Sequence, residues 1–234
     1  MSRIIAATDE EKLSYIDEMA ALMTESERKE ICERLEVVHY DKDEPVYTCG
    51  DLSDNFHCLV SGHLRLSYVY SDGRKRIVSL LQPFHIFGLR PYLARKNFMF
   101  ETSTIDEVIL CRIPNADIMK LFFQNRCLAQ YMLEQAADST FGLEQRLLVM
   151  MGKHLRGRMA YILLYLKKSV GRFDGRWYID VDLRREDLAG MADMTTANAI
   201  RTLSAFVSEG LITLDRRKII INDVEGLRRI SEIE

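Results

Sequence analysis

The sequence predicts an α+β protein made of a strand-rich amino-terminal domain, one long helix, and a carboxy-terminal helix-turn-helix with a β-wing. Three observations predict it: short apolar segments punctuated by turn signals between residues 37 and 113, an apolar repeat averaging 3.5 residues after Asn125, and two short amphipathic helices close to the end of the chain. At 234 residues there is room for two compact domains, and 47% apolar with 29% charged content describes a soluble globular protein. No segment has the order of a signal peptide, and the longest apolar runs fall far below the ~20 residues that cross a bilayer. A cytoplasmic protein with no membrane partner is therefore expected. Cys32, Cys49, Cys58, Cys111 and Cys127 are odd in number and contain no CxxC pair, which argues against a disulfide framework and a common zinc site. Most of them read as small buried hydrophobes.

In the strand-rich part, Asp43-Glu44-Pro45, Cys49-Gly50-Asp51, Ser61-Gly62, Asp72-Gly73 and Gln82-Pro83 separate the apolar segments, as in an antiparallel barrel or sandwich. Leu64 and Leu66 alternate with His63, Arg65 and Ser67, so one face of that strand is buried and the other wet. The pattern closes with Val108 to Ile113 before Pro114, and Asn115 is placed to cap a short helix through Phe123. These parts form an expected first domain, residues 1–125. Residues 126–154 then read as one helix whose stripe is Ala129, Leu133, Ala136, Thr140, Leu143, Leu147 and Met150. Its alternating steps of four and three match a two-stranded coiled coil, with small Ala136 and Thr140, and Gly142 beside them, permitting close approach. Self-association is expected through Leu133, Ala136, Thr140, Leu143, Leu147 and Met150.

The last part, residues 155–234, contains the helix-turn-helix. Leu188, Met191 and Ala192 give its first helix a buried face, and Ala199, Leu203, Phe206 and Val207 do the same for the second. Asp193 and Met194 connect them, Thr195 is placed to cap the second helix, and Gly210 stops it. In such a motif the start of the second helix enters a major groove, where Thr196, Ala197, Asn198 and Arg201 reach phosphates or base edges. Arg185, at the start of the first helix, and Thr195 complete the expected contact set. Beyond it, Leu211 to Leu214 and Ile219 to Ile221 flank Asp215-Arg216-Arg217-Lys218, a hairpin whose basic tip would lie on phosphates, adding affinity but little sequence information. The chain's net charge of −3 hides an asymmetry. Residues 153–218 hold 13 Lys and Arg against 8 Asp and Glu, a net of +5, whereas residues 1–152 carry a net of −6. Double-stranded DNA is the partner these features imply.

In this order the parts resemble the Crp/Fnr family of bacterial transcription regulators over most of the chain. Phe56 to Leu64 resembles the family's strand pair around Ser-Gly, Ser71-Asp72-Gly73-Arg74 its hairpin, and Pro83 to Gly88 its Pro-Gly-Asp-x-x-Gly loop. Gly157-Arg158-Met159-Ala160 resembles the start of the helix after the dimerisation helix. Leu183 to Ile212 resembles the DNA-binding unit, most clearly at Leu188-Ala189, Arg201-Thr202-Leu203 and Glu209-Gly210-Leu211-Ile212. The resemblance implies a jelly-roll-like double-stranded β-helix, the β-roll, that senses an effector, a dimerisation helix, and a winged helix-turn-helix. It further implies a homodimer, RNA polymerase as a partner, an effector site around Gly88, Leu89, Arg90, Thr102, Ser103 and Leu143, and reorientation at a hinge near His154 to Arg156.

The departures are informative. Members that bind cyclic AMP carry Gly-Glu in the loop and an Arg for the phosphate shortly after; here Gly88 precedes Leu89, and Phe100-Glu101-Thr102-Ser103 offers a carboxylate instead. Ordinary cyclic AMP is not expected, and the effector stays unknown; Arg90 and Arg95 are solvated or serve a different anion. The cysteine cluster of iron-sulfur relatives is absent, because Cys32 and Cys49 have no close companions. His39, His57, His63 and His85 leave open a haem- or metal-dependent sensor or an enzyme that uses the β-barrel, His85 standing where the family loop has Asp. No nucleophile elbow, phosphate loop or paired-carboxylate motif supports an enzyme. Finally, the recognition helix begins Thr195-Thr196-Ala197-Asn198-Ala199-Ile200-Arg201 where many members have Ser-Arg-Glu-Thr-Val-x-Arg, so an operator richer in A·T at that step is expected.

Overall fold

The computed structural model describes residues 2–73, 75–179, 181, 183–216 and 218–234. They group into two units, residues 1–74 with 80–141 and residues 75–79 with 142–234. The chain opens with β1 (Arg3–Ile5), α1 (Asp9–Tyr15), α2 (Asp17–Ala21) and α3 (Glu25–Arg34). Thr8 and Thr24 accept bonds from the amides of Glu11 and Glu27, whose carboxylates return to the threonine amides, so α1 and α3 both start on a reciprocal cap. The strands β2 (Glu36–Tyr40), β3 (Pro45–Tyr47), β4 (Asn55–Ser61), β5 (Leu64–Val69), β6 (Lys75–Leu81) and β7 (Ile86–Phe87) follow. Next come the short α4 (Leu89–Leu93), then β8 (Glu101–Thr104), β9 (Val108–Pro114), α5 (Asn115–Gln124) and α6 (Arg126–Gly152).

Two antiparallel sheets result, in the orders β1-β2-β9-β4-β7 and β3-β8-β5-β6. Strand β4 shows why they stack. Phe56, His57, Cys58 and Leu59 are all buried, as happens when a strand is covered on both faces. Leu59 joins Val38, Leu64, Leu81, Val108 and Leu110 in one cluster, whereas Phe56 and Cys58 join Ile31, Ile113, Ile118, Leu121 and Leu128, contributed largely by the helices. The Ser61-Gly62 turn needs its glycine: φ is +81°, and a Cβ there would lie 2.2 Å from the Glu107 carbonyl oxygen.

Two capping details differ from expectation. Asn115 is the first residue of α5, but its side chain turns inward and donates to the Ser53 carbonyl at 2.8 Å, while its backbone amide donates to Asp54. A buried loop carbonyl needs a donor more than the solvated helix start does. The equivalent cap appears ten residues later, where Asn125 Oδ1 accepts from the Leu128 amide at 3.0 Å and its Nδ2 donates to Leu22 O. The long helix ends at Gly152 rather than at 154, because His154 is extended and precedes the next helix.

The second unit contains α7 (Leu155–Val170), β10 (Gly171–Phe173), β11 (Trp177–Ile179), α8 (Arg185–Met191), α9 (Thr196–Ser208), β12 (Ile212–Asp215), β13 (Lys218–Ile221) and α10 (Val224–Ile233). Its sheet is four-stranded, β10-β11-β13-β12, so the wing hairpin continues into a second hairpin, whose strands of three residues leave little trace in the sequence pattern. Met159, Leu163, Leu166, Leu188, Leu203, Phe206 and Leu227 are buried almost completely. Gly157 admits the chain end against α7: a Cβ there would sit 2.6 Å from the Glu234 carbonyl carbon. No described helix is long and apolar enough to cross a membrane.

Candidate nucleic-acid interface and effector site

The two helices of the motif cross at a turn with left-handed backbone at Asp193 (φ +48°), closed by the Met194 amide donating to Ala189 O at 2.9 Å. Arg158 Nη1 donates to the Asp193 carbonyl at 3.2 Å and Arg146 Nη2 to the Met191 carbonyl at 2.8 Å, so guanidinium groups hold both sides of the turn. Thr195 Oγ1 accepts from the Asn198 amide at 3.2 Å, satisfying one orphan donor of the first turn of α9. Ala199, Thr202, Leu203 and Phe206 face the core. Val207, expected in that stripe, is 40% exposed; Thr202 takes the inward position because the buried face is set by the steps from Ala199 to Phe206, not by apolarity alone.

The opposite face of α9 is open. Thr195, Thr196, Ala197 and Arg201 are exposed, Asn198 is half-buried, and a guanidinium nitrogen of Arg201 donates to Asn198 Oδ1. That bond fixes the arginine fork and leaves the Asn198 amide donors directed away from it. Ile200 is 48% exposed on the same face and is absent from the set expected from the sequence, although its spacing of four from Thr196 and three from Ala197 carries the signal. Among the described residues, Arg185 Nη1 is buried with no hydrogen-bond partner, and Nη2 lies 3.5 Å from the Arg216 carbonyl. A buried guanidinium nitrogen lacking an acceptor is under-satisfied. Lys218 Nζ lies 5.8 Å from the centre of the Tyr178 ring, at the start of β13. Arg217 lies outside the described residues.

The start of α7 is braced by Arg156, which forks onto Glu209 at 2.8 and 2.9 Å, reaches Glu234 at 3.0 Å and covers the Phe206 ring. The Arg156 hydrogen bonds hold the Glu209 carboxyl below its usual range. His154, beside it, donates its amide to Glu234 O.

Around the expected effector residues, Gly88 has φ +94°, and a Cβ would meet the Asn55 carbonyl oxygen at 2.2 Å. Its own carbonyl accepts from Ser53 Oγ and, at 3.4 Å, from Asn115 Nδ2. Leu89 and Thr102 are buried, as is Ser103, whose hydroxyl accepts from Arg65 Nε at 2.9 Å. Arg90 is exposed and reaches Ser139 Oγ at 3.4 Å. Leu143 is 39% exposed and falls in the second unit. Three aromatic side chains pack together: the Tyr47 ring stacks on Phe98 at 3.6 Å and meets Phe87 at 6.1 Å, and burial pushes the Tyr47 phenol up to about 12. Leu89 and Glu101 stand where a cyclic nucleotide needs an acceptor and a cation, so these residues do not fit that ligand.

The histidines have different surroundings. His57 is buried against Phe87, stacked at 4.8 Å, and desolvation drives its imidazole down to about 3. His63 Nδ1 is 2.7 Å from an Asp106 carboxylate oxygen, and burial also lowers His85. Among the described residues, no three His, Cys, Asp or Glu side chains converge as a metal would require. Cys32, Cys58 and Cys111 are buried, while Cys49 and Cys127 are exposed.

A strand-rich roll, a long helix and a winged helix-turn-helix with an open recognition face define a DNA-binding protein of the helix-turn-helix class. Residues 157–230 match the Crp-like helix-turn-helix domain and residues 37–125 the cyclic nucleotide-binding domain. The chain belongs to the Crp/Fnr family of transcription regulators. It is 24% identical over 194 residues to the transcriptional activator protein FnrL of Cereibacter sphaeroides, covering 80% of this chain and 77% of FnrL. To the nitrogen fixation regulation protein FixK of Rhizobium meliloti it is 27% identical over 198 residues, covering 83% and 86%. These relatives are regulators, not enzymes. In fold it is similar to FixK2 from Bradyrhizobium japonicum, with a TM-score of 0.76 at 20% identity, covering 84% of this chain and 96% of that one.

Proposed function

We propose that this regulator acts as a cytoplasmic homodimer that reads a near-palindromic operator through paired copies of α9. The observation that carries the reading is the unpartnered surface of α9: Thr196, Ala197, Ile200 and Arg201 point away from the core along one helical face. Arg201, oriented by Asn198, is assigned to a guanine edge; Ala197 and Ile200 suit thymine methyl groups, which favours an A·T-rich step in each half-site. Arg185, Thr195, Thr196, Lys218 and Arg217 are assigned to phosphate, where they position the protein without specifying sequence.

Pairing is assigned to α6. Leu133, Phe141, Leu147, Leu148 and Met151 are 57 to 75% exposed on a helix about 40 Å long, an apolar surface that water alone does not stabilise. Ala136 and Thr140 lie on the same helix, with Leu143 and Met150 flanking the exposed leucines. Two-fold pairing would place the recognition helices about 34 Å apart, one duplex turn. An effector held by the roll would shift the protein toward the DNA-competent arrangement only if it bound that arrangement better. Contact with RNA polymerase would then convert occupancy into transcription. Selecting sites from a random duplex pool tests the reading: it predicts a two-fold symmetric consensus that departs from the common family core, and recovery of an unsymmetrical site or of the unaltered core overturns it.

A further inference from the structure

On the outer surface of the roll, the first unit carries a groove of about 570 Å³, within the range of small-molecule sites. Leu52, Leu93, Met119 and Phe123 provide apolar walls, and Leu52, Leu93 and Phe123 are 68, 48 and 79% exposed. Arg95 and Lys96 line the same groove, and neither side chain has an anionic partner among the described residues. Asp54 is the carboxylate among the lining residues, so the groove carries one net positive charge.

The loops that carry its walls are held by hydrogen bonds. The Gly50 amide donates to Phe98 O at 2.8 Å, the Phe98 amide to Asp51 O at 3.0 Å, and Asn97 Nδ2 to Gly50 O at 2.8 Å. Arg95 itself has φ +53°, a conformation that glycine or asparagine adopts at lower cost.

We propose that this groove binds an amphipathic monocarboxylate, its carboxylate between Arg95 and Lys96 and its apolar body on Leu52, Leu93, Met119 and Phe123. Two cations with one opposing Asp54 favour a monoanion over a dianion such as a phosphomonoester. The apolar walls exclude a small polar acid as a tight ligand, because such an acid would leave Phe123 and Leu52 in water. The site also identifies the effector class for the regulator reading above, on which that step rests. Helix α4 borders the groove through Leu93, and its Arg90 donates to Ser139 on α6, so an occupant acts on an element already bonded to the long helix.

The experiment titrates the full chain with 11-(dansylamino)undecanoic acid and with its methyl ester, following dansyl fluorescence, while binding to a selected operator is measured on the same preparation. The acid should bind saturably, one per chain, and the ester about tenfold or more weakly. Lys96→Glu and Arg95→Glu, both at exposed positions, should weaken the acid about tenfold and leave the ester unchanged, and Phe123→Ser should weaken both. Equal binding of acid and ester, insensitivity to all three substitutions, or absence of saturable binding overturns the site. If the operator is still bound in those cases, the site alone has failed; if the unaltered chain ignores its operator, the regulator reading has failed instead.

Discussion

Arg201 and Lys218 face the same duplex in the proposed complex with different tasks, and single substitutions separate them. Arg201→Ala should weaken specific binding by about 1–3 kcal/mol and relax the consensus at one position. Lys218→Ala should lower affinity for every sequence and reduce the slope of log affinity against log salt by about one. Fluorescence anisotropy on cognate and scrambled duplexes over a salt series distinguishes them, and identical behaviour would refute the assignment. His57 gives a prediction about stability. Its folded imidazole titrates near 3, far below the ordinary value of 6.5, because burial disfavours the cation. Between those values an unfolded chain takes up a proton that the folded chain refuses, so stability is present above about pH 6.5 and is lost as pH falls, by about 1.4 kcal/mol per unit. His57→Phe, which keeps the stack on Phe87, should flatten that decline when urea unfolding is compared near pH 7 and near pH 5.

For single elements, capping and periodicity decide more than composition does. Thr195→Ala removes the acceptor for the Asn198 amide and should cost about 1 kcal/mol of domain stability, read as a lower urea midpoint, while Thr195→Ser should restore it. In α6 the exposed leucines are the test of pairing. Leu147→Glu places a charge in the proposed seam and should yield monomer by analytical ultracentrifugation with the fold retained by circular dichroism, since Leu147 is 59% exposed in the single chain. A dimer unaffected by this change would remove α6 from the interface. The 3.5-residue repeat of that helix was legible because it extends over many turns. By contrast, Asn115 and Asn125 have the same local sequence credentials as caps, and only the buried Ser53 carbonyl decides which of them turns inward.

Across the whole molecule, paired readers imply a fixed operator geometry. Inserting about five base pairs, half a duplex turn, between the half-sites should rotate one of them out of reach, whereas inserting roughly ten should restore part of the affinity. Gel-shift titration of the three duplexes checks this, and indifference to spacing would mean that each recognition helix binds alone.

The helix-turn-helix, the wing and the strand-rich domain were written in the sequence itself, because local periodicity, turn residues and charge placement are short-range signals that survive without knowledge of neighbours. The interior between the sheets was not. That Tyr47, Phe87 and Phe98 come together from three separate segments, that Arg95 and Lys96 come beside Phe123, and that Ile200 stays outside while Thr202 goes in all depend on which distant segments meet. Burial is a property of those meetings, and residues far apart in the chain acquire it only when the sheets and helices close over them.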